Sequence, residues 1–255
     1  MGALVRRLTA SEKADRWLRW CMSRYVELRG NVFSLDGCTF TVDSPAIARE
    51  LKSQFVADRY ERPEREALKR YLDPALPVIE LGGSIGVVAC LTNKRLTHPK
   101  AHVVVEANPD LIPLLHQNRD RNRCSFTVIH RALAYGSAEI LFYRNAYFYA
   151  GNTFNAWNES PAESIHVPTI TVREIADRFD FDRCTLICDI EGGEFHLLEH
   201  EADILSKRVV TFMVEIHEPA APALSKTFFP RLERLGFTVV QAAEQTYVLQ
   251  NSRLT

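Results

Sequence analysis

Long apolar runs, C-x-x-C pairs and an excess of basic charge are all missing from this 255-residue sequence. No apolar stretch approaches the roughly 20 residues that a membrane-spanning helix needs. The six cysteines lie apart, several of them within apolar runs, which indicates buried thiols in a reducing compartment. A formal net charge of -1 gives no basic surplus of the kind that marks nucleic-acid-binding domains. We therefore expect a cytoplasmic protein without stable membrane insertion, acting on a small molecule and not on nucleic acid.

The composition is that of an α/β protein with one large core, since 46% of the residues are hydrophobic. We place a boundary after residue 58, with residues 1–58 as a small N-terminal α+β annex and 59–255 as the main domain. The spacing of apolar residues from Ser11 to Leu28 predicts an amphipathic helix. Its interspersed acids favour packing on the main domain over binding to a membrane surface. Asp36-Gly37 then predicts a two-residue β-hairpin.

Strands and helices alternate regularly after residue 77. Parallel strands need long crossovers, so this alternation predicts a mostly parallel sheet with helices on both faces. Two further strands near the C-terminus are close enough to form an antiparallel hairpin. The predicted strands of the sheet are Val78 to Leu81, His102 to Val105, Ser125 to His130, Thr185 to Cys188, Val210 to Ile216, Thr238 to Gln241 and Tyr247 to Gln250. Two more strands are predicted at Ala138 to Tyr143 and Ile165 to Ile170, and one helix at Phe195 to Leu205.

A glycine-rich turn, E-L-G-G-S-I-G from Glu80 to Gly86, follows the first of these strands. Glycine has no Cβ, so the backbone can turn sharply and approach a nucleotide-like cofactor. Glu106 ends the next strand, where a carboxylate can accept both ribose hydroxyls of NAD or S-adenosylmethionine. Val87 stands at the last glycine position of the NAD pattern, and the carboxylate of Glu80 suits a cationic methyl donor better than a pyrophosphate. The turn therefore favours S-adenosylmethionine.

Three motifs resemble the FkbM family of class I S-adenosylmethionine-dependent methyltransferases: the turn Glu80–Gly86, Glu106-Ala107-Asn108-Pro109, and above all D-I-E-G-G-E from Asp189 to Glu194. The resemblance extends over about residues 60–218. It implies a Rossmann-like class I methyltransferase fold with a seven-stranded twisted sheet, and O-methylation of a hydroxyl on a sugar, glycan or natural-product small molecule. The cofactor-binding residues are then Tyr60, Glu61, Glu80, Gly82, Gly83, Ser84, Gly86, Glu106, Ala107, Asn108, Ala132 and Asp189.

The sequence departs from the family pattern at three positions. Glu80 replaces the usual Asp and Ser84 the usual Asn, and both changes keep a polar group. Ile187 replaces a Lys two residues before Asp189, which removes a cation from beside the acidic motif.

The acidic motif supplies the candidate catalytic groups. Methyl transfer from a sulfonium is an in-line displacement, and a hydroxyl acceptor must also lose its proton. Repulsion between crowded carboxylates can raise the pKa of one of them toward that of a useful base. In one route Asp189 or Glu191 is the general base, assisted by His217. In the other, Asp189 and Glu215 bind Mg²⁺ with His217. A structural role fits His217 equally well.

Two other functions stay open at this point: an NAD-dependent oxidoreductase, and a degenerate methyltransferase domain that acts as a binding or scaffold module. The aromatic, polar segment 144–157 is predicted to be either a mobile lid that stacks on adenine or sugar, or a loop packed on its own rings. No pattern indicates an oligomeric state.

Overall fold

The computed structural model describes residues 10–144, 151–152, 164–217 and 222–254. The helices are α1 (Ala10–Leu28), α2 (Arg49–Val56), α3 (Arg62–Tyr71), α4 (Val87–Asn93), α5 (Ile112–Arg121), α6 (Val172–Arg178), α7 (Glu194–His200), α8 (Ala202–Arg208) and α9 (Pro222–Arg234). The strands are β1 (Val32–Leu35), β2 (Cys38–Thr41), β3 (Val78–Leu81), β4 (His102–Glu106), β5 (Thr127–His130), β6 (Ala132–Leu133), β7 (Glu139–Arg144), β8 (Gly151–Asn152), β9 (Ser164–Ile170), β10 (Cys184–Cys188), β11 (Val209–Glu215), β12 (Phe237–Ala243) and β13 (Thr246–Asn251). None of these helices is long and apolar enough to cross a bilayer.

A seven-stranded sheet forms the centre of the protein, in the order β12-β13-β11-β10-β3-β4-β5. Strands β3, β4, β5, β10 and β11 pair in parallel. Strand β13 is antiparallel to both β11 and β12. The predicted mostly parallel sheet with an antiparallel C-terminal hairpin is confirmed.

Apolar residues cover both faces of this sheet, which explains why its strands read as continuous apolar runs. Val78 and Val104 belong to the core on one face, and Ile79 and Val103 to the core on the other. The strand order reverses between β3 and β10, because the chain first adds β4 and β5 on one side and later β10 and β11 on the other. Ligands of open α/β sheets bind beyond the carboxyl ends of the strands at such a switch point.

A smaller four-stranded sheet, β6-β9-β7-β8, stands beside the main one. Its central pairing is antiparallel, between β7 and β9, at the two places where extra strands were predicted. Most of the predicted aromatic lid or loop, residues 145–150 and 153–157, lies outside the described residues.

The N-terminal hairpin has the predicted turn, with Asp36 and Gly37 both at positive φ (47° and 83°). Strand β2 is fastened to helix α5 by two asparagine side chains. Asn118 exchanges hydrogen bonds with the backbone of Thr41, and Asn122 does the same with Thr39. The division of the chain after residue 58 stays a prediction.

Replacing Asn118 with leucine is expected to lower the free energy of unfolding by about 2–3 kcal/mol. The side chain is fully buried, and its amide also donates to the carbonyl oxygen of Ile85 at 2.8 Å. The substitution therefore leaves three buried backbone groups without a partner. Urea unfolding measures the change, with Gln117→Leu at an exposed position of the same helix as control. Equal stabilities of the two variants would contradict this account.

Helix α1 does not pack as the sequence analysis predicts. Trp17 and Leu18 have exposed fractions of 67% and 49%, whereas Ser23 and Val26, on the opposite side, are buried. The prediction that the apolar side of this helix packs on the main domain is wrong. The cause is that α1 reaches α2 through its other side, where the Ser23 hydroxyl donates to the Arg49 carbonyl oxygen.

Two other helices differ in extent from the predictions. The single helix predicted from Phe195 to Leu205 is two short helices, α7 and α8, which are separated at Glu201. Glu201 is buried, and its carboxylate accepts a hydrogen bond from the backbone N–H of Arg173. Pro45 also predicts the start of a helix, because proline is favoured at the first helical position. Helix α2 begins at Arg49 instead.

Candidate active site

A cavity of about 340 Å³ lies beyond the carboxyl ends of β3, β4, β10 and β11. Each of these strands contributes at or just after its last residue: Gly82 after β3, Glu106 at the end of β4, Asp189 after β10 and Glu215 at the end of β11. The residues before α3 and the β12–β13 turn complete the wall. The cavity therefore occupies the switch point of the sheet, where a ligand is expected.

The glycine turn is shaped by close packing as much as by the cavity. A Cβ on Gly82 would overlap with the carbonyl oxygen of Asp189, and the residue has a φ of +89°. A Cβ at Gly83 or Gly86 would meet the side chains of Val104 or Leu115. Gly82 and Ser84 line the cavity, whereas Gly83 and Gly86 are not among the residues that line it. The last two glycines thus let the turn pack against β4 and α5.

Glu106 is held rigidly at the end of β4. One carboxylate oxygen accepts a hydrogen bond from the backbone N–H of Ser84 at 2.7 Å, and the other from that of Asn108 at 2.6 Å. Burial raises the pKa of Glu106, and these backbone bonds partly offset that effect. Each oxygen has a second lone pair, so the carboxylate can also accept two ligand hydroxyls. Ala107, Asn108 and Ala132, for which the sequence predicts contacts with the cofactor, line the cavity beside it.

Tyr60 and Glu61 close the cavity over the glycine turn. The Tyr60 hydroxyl lies 3.3 Å from the Ser84 hydroxyl. Glu61 is at a positive φ of 46°, and its Oε2 is buried without a hydrogen-bond partner. Burial, together with the charge of Glu64, raises the pKa of Glu61 to about 8.

Glu80 lies elsewhere. Its side chain is 1% exposed, its Oε2 is 3.3 Å from Nε2 of His102, and it is not among the residues that line the cavity. Burial raises the pKa of Glu80, and His102 lowers it. Side chains alternate along a strand, so Glu80 shares the inner face of β3 with Val78. The sequence predicts that Glu80 contacts the cofactor, but its side chain has no surface in the cavity through which it could do so.

Four carboxylates surround His217 just after β11. Nδ1 of the imidazole lies 3.2 Å from Glu194, and Nε2 lies 3.4 Å from Glu191, 3.7 Å from Glu215 and 3.8 Å from Asp189. Burial alone would lower the pKa of His217, but the hydrogen bond to Glu194 and the charges of Glu191 and Asp189 raise it to about 10. The imidazole is therefore a cation at neutral pH.

Three of these carboxylates, those of Asp189, Glu191 and Glu215, have pKa values above the ordinary ones. Burial raises the pKa of Asp189 well above its ordinary value, and the charges of Glu215 and Glu191 raise it further. Burial also raises the pKa of Glu191, and it raises that of Glu215 to about 7, with a contribution from Glu64. Oδ1 of Asp189 is buried without a hydrogen-bond partner. Such groups suit proton transfer or the binding of a cation.

A family model for the FkbM methyltransferase domain matches residues 80–239, more than half of the chain. The chain belongs to the FkbM methyltransferase family. The predicted family and its Rossmann-like class I fold are confirmed, and the protein is an S-adenosylmethionine-dependent methyltransferase. No curated protein sequence matches the chain significantly.

Several solved structures are similar to this FkbM methyltransferase, all at low identity. A methyltransferase from Pyrococcus furiosus is 13% identical, with a TM-score of 0.42, and the match covers 92% of this chain and 96% of that one. Precorrin-6y C5,15-methyltransferase from Geobacter metallireducens GS-15 is 13% identical, with a TM-score of 0.43, over 82% and 92% of the two chains. TYW2 from M. jannaschii, in complex with AdoMet, is 14% identical, with a TM-score of 0.40, over 86% and 82%.

The cavity of the FkbM domain fits S-adenosylmethionine, whose sulfonium and amino groups are cationic. Seven carboxylate side chains line it: Glu61, Glu64, Glu106, Asp189, Glu191, Glu215 and Glu244. Two of them, Glu61 and Asp189, have a buried oxygen without a hydrogen-bond partner. A bound cation would satisfy these oxygens, so the donor set matches the cofactor.

One group of the FkbM domain can also hold a metal ion. Asp189, Glu215 and His217 each offer a ligand atom, and the three atoms lie within 4.8 Å of one another. These are the residues that the sequence analysis assigns to the Mg²⁺ route.

The sequence analysis missed the residues that hold this cluster in place. Glu194 is fully buried, and one of its oxygens accepts hydrogen bonds from the backbone N–H groups of Ile190 and Gly192 as well as contacting His217. The sequence shows Glu194 in the acidic motif but cannot show its pairing with a histidine 23 residues later. Thr246 of β13 donates to Glu64 of α3 across the cavity wall, a contact with no sequence signal.

Proposed function

We propose that this enzyme transfers the methyl group of S-adenosylmethionine to a hydroxyl of a sugar, glycan or natural-product small molecule. The observation that carries the proposal is the carboxylate cluster around His217. It lines the same cavity as Glu106, whose carboxylate can accept hydrogen bonds from two ribose hydroxyls. One side of the cavity thus suits the cofactor, and the other suits removal of a proton from an acceptor.

Residues in and around the glycine turn would bind different parts of the cofactor. Glu106 would accept hydrogen bonds from the two ribose hydroxyls, and Ala107, Asn108 and Ala132 would border the adenosine. Gly82, Ser84, Tyr60 and Glu61 would border the methionine end, where the carboxylate of Glu61 would offset its positive charge. Bound S-adenosylmethionine supplies an electrophilic methyl group next to the cluster.

With S-adenosylmethionine bound, Asp189 or Glu191 would accept the proton of the acceptor hydroxyl. The O–CH₃ bond would form as the S–CH₃ bond breaks, and S-adenosylhomocysteine would leave as the neutral thioether. A raised pKa makes a carboxylate a stronger base near neutral pH. His217 is already protonated, so it cannot take the proton itself. Held by Glu194, it offsets the negative charge of the cluster and orients Asp189 and Glu191.

A metal-assisted route remains the alternative, because Asp189, Glu215 and His217 are close enough to share an ion. We favour the metal-free route, since imidazole is a poor ligand for Mg²⁺ and Nδ1 of His217 is engaged with Glu194. We expect the rate of methyl transfer to change by less than about twofold after treatment with EDTA. A lost rate that Mg²⁺ restores would establish the metal route instead.

The charge of the cavity also bears on the acceptor. Its acids outnumber its basic side chains, which are Arg59, Arg131 and His217 among the described residues. A nucleic acid would bring its phosphates against these carboxylates, and like charges at close range are unfavourable. A neutral, hydroxyl-rich acceptor meets no such repulsion and can donate hydrogen bonds to the carboxylates.

The test of this proposal searches for the acceptor without assuming its identity. Small molecules and glycans extracted from the source cells are incubated with S-adenosylmethionine, with and without the enzyme, and analysed by mass spectrometry for products heavier by one CH₂ group. We expect a methylated hydroxyl. Calorimetry with S-adenosylhomocysteine and with NAD separates the remaining functions. Binding of NAD alone would indicate an oxidoreductase, and binding of S-adenosylhomocysteine without any product would favour a scaffold module.

Binding of S-adenosylmethionine is expected to tighten as the pH rises toward about 8, by at most about tenfold per pH unit. Glu61 has a folded pKa of about 8, so below that pH the free protein holds it protonated. The cationic cofactor favours the ionised carboxylate, and binding must then release a proton. Calorimetry between pH 6 and pH 9 measures the slope. Glu61→Gln should flatten it, whereas Glu66→Gln, on the exposed side of α3, should not; equal slopes would contradict the role of Glu61.

A further inference from the structure

Helix α1 carries most of the large apolar side chains that the described residues expose. Nine such side chains are exposed, and five of them lie on α1, so they form a patch and are not scattered. We call this patch the α1 stripe: Trp17, Leu18, Trp20, Tyr25 and Leu28, with exposed fractions of 49–78%. All residues from 14 to 20 are exposed, so this part of the helix projects from the protein.

The stripe occupies one side of the helix. Successive residues are rotated by about 100° in an α-helix, which places Trp17, Tyr25 and Leu28 on the side opposite to Ser23 and Val26. Ser23 and Val26 are the buried residues through which α1 packs on the protein. The apolar side of α1 is therefore left without a partner among the described residues.

The charges of the helix are mainly positive. From residue 14 to the end of α1, Arg16, Arg19 and Arg24 stand against two acids, Asp15 and Glu27, and Arg29 directly follows the helix. Glu27 is neutralised by ion pairs with Arg24, Arg49 and Lys52. In the helical projection Arg24 lies within the stripe, between Trp20 and Trp17, and Arg29 and Arg16 flank its two edges beyond Leu18 and Trp20.

We propose that the α1 stripe binds the surface of a membrane that contains anionic lipids. Tryptophan and tyrosine favour the boundary between headgroups and acyl chains, and arginines beside them can pair with lipid phosphates. The helix lies in the plane of the surface and does not span the bilayer. A second copy of the chain suits the stripe less well, because symmetric packing of two stripes brings the arginines at their edges together.

This binding has a consequence for the enzyme. Helix α1 packs on α2, and α2 contributes Leu51 and Gln54 to the wall of the cavity. A protein bound through α1 is therefore held to the membrane next to its active site.

Co-sedimentation with vesicles tests the proposal. We expect the protein to sediment with vesicles made of equal parts phosphatidylcholine and phosphatidylglycerol, to bind less to phosphatidylcholine alone, and to be released by salt. The double variant Trp17→Ser, Leu18→Ser should bind at least about tenfold more weakly. Val239→Ser, Val240→Ser is the matched control, since these side chains are exposed and apolar but lie on β12. Unchanged affinity for S-adenosylhomocysteine confirms that each variant is folded.

Fluorescence gives a second measurement. Trp17 and Trp20 are two of the three tryptophans, so a Trp157→Phe variant reports on α1 alone. We expect its emission to shift to shorter wavelength when anionic vesicles are added. No binding to anionic vesicles, or equal binding by both double variants, would overturn the proposal. A dimer in sedimentation velocity that only Trp17→Ser, Leu18→Ser disrupts, without vesicle binding, would assign the stripe to a second copy instead.

Discussion

Replacing Asp189 with asparagine is expected to slow methyl transfer by about 10²–10⁴-fold, the usual contribution of a general base. The amide keeps the shape of the side chain but cannot accept a proton. Oδ1 of Asp189 has no hydrogen-bond partner, so the change breaks no hydrogen bond at this oxygen and removes only the charge that faces His217 Nε2 at 3.8 Å. Initial rates with the methylated acceptor measure the effect, and calorimetry should show S-adenosylhomocysteine affinity within about threefold of the original. The same measurement is made on Glu191→Gln. The variant that loses more of the rate of methyl transfer identifies the general base.

A control variant must distinguish the loss of a general base from the loss of one negative charge in the cavity. Glu244→Gln removes the same charge from an exposed residue of the same cavity wall and should slow the reaction by less than about threefold. A similar loss in both variants would mean that the total charge matters and the position of Asp189 does not. General base catalysis by this cluster would be contradicted if Asp189→Asn and Glu191→Gln were both active.

The sheet could be predicted because its signals are local. Each strand is an apolar run ended by a turn, and long crossovers require parallel pairing. The acids at the strand ends followed from the same logic, since Glu106 is the last residue of one buried strand and Asp189 directly follows another. Parallel strands bring such ends together whatever the details of packing.

The direction of individual side chains could not be predicted in the same way. Glu80 comes one residue before the end of its strand, and strand alternation turns it toward His102 and away from the cavity. Helix α1 has the apolar spacing of a packed helix, but a hydrophobic pattern does not say whether the protein itself supplies the partner. The contact between Glu194 and His217 joins the first residue of α7 to the loop after β11, so only the folded chain shows it.

The departure from the family pattern at Ile187 acquires a physical meaning in the structure. Ile187 is nearly buried and borders a small space that Asp189 and Glu215 also line. Within the described residues, neither a lysine nor an arginine forms an ion pair with Asp189, Glu191 or Glu215, and His217 is the basic group that contacts them. The imidazolium of His217 therefore lies beside these carboxylates, where the apolar side chain of Ile187 supplies no positive charge.

The second large effect concerns the cofactor. Glu106→Gln is expected to weaken the binding of S-adenosylhomocysteine by about 100-fold or more, because two charge-assisted hydrogen bonds to ribose are each worth about 1.5–3 kcal/mol. A glutamine also has a single acceptor oxygen, so one of the backbone N–H groups of Ser84 and Asn108 loses its partner. Calorimetry measures the affinity, and thermal unfolding checks that the variant is folded.

Glu80→Gln is the matched comparison, because it makes the same change in a buried acid at the end of the adjacent strand. Its carboxylate contacts His102 and does not line the cavity, so we expect S-adenosylhomocysteine affinity to change by less than about threefold. Its effect should appear in stability instead, since burial raises the pKa of Glu80 and ionisation of the carboxyl opposes folding. The amide removes that ionisation, so the variant should gain stability relative to the original protein as the pH rises. If Glu80→Gln weakened the binding of S-adenosylhomocysteine as much as Glu106→Gln does, Glu80 would contact the cofactor, as the sequence predicts, although it does not line the cavity.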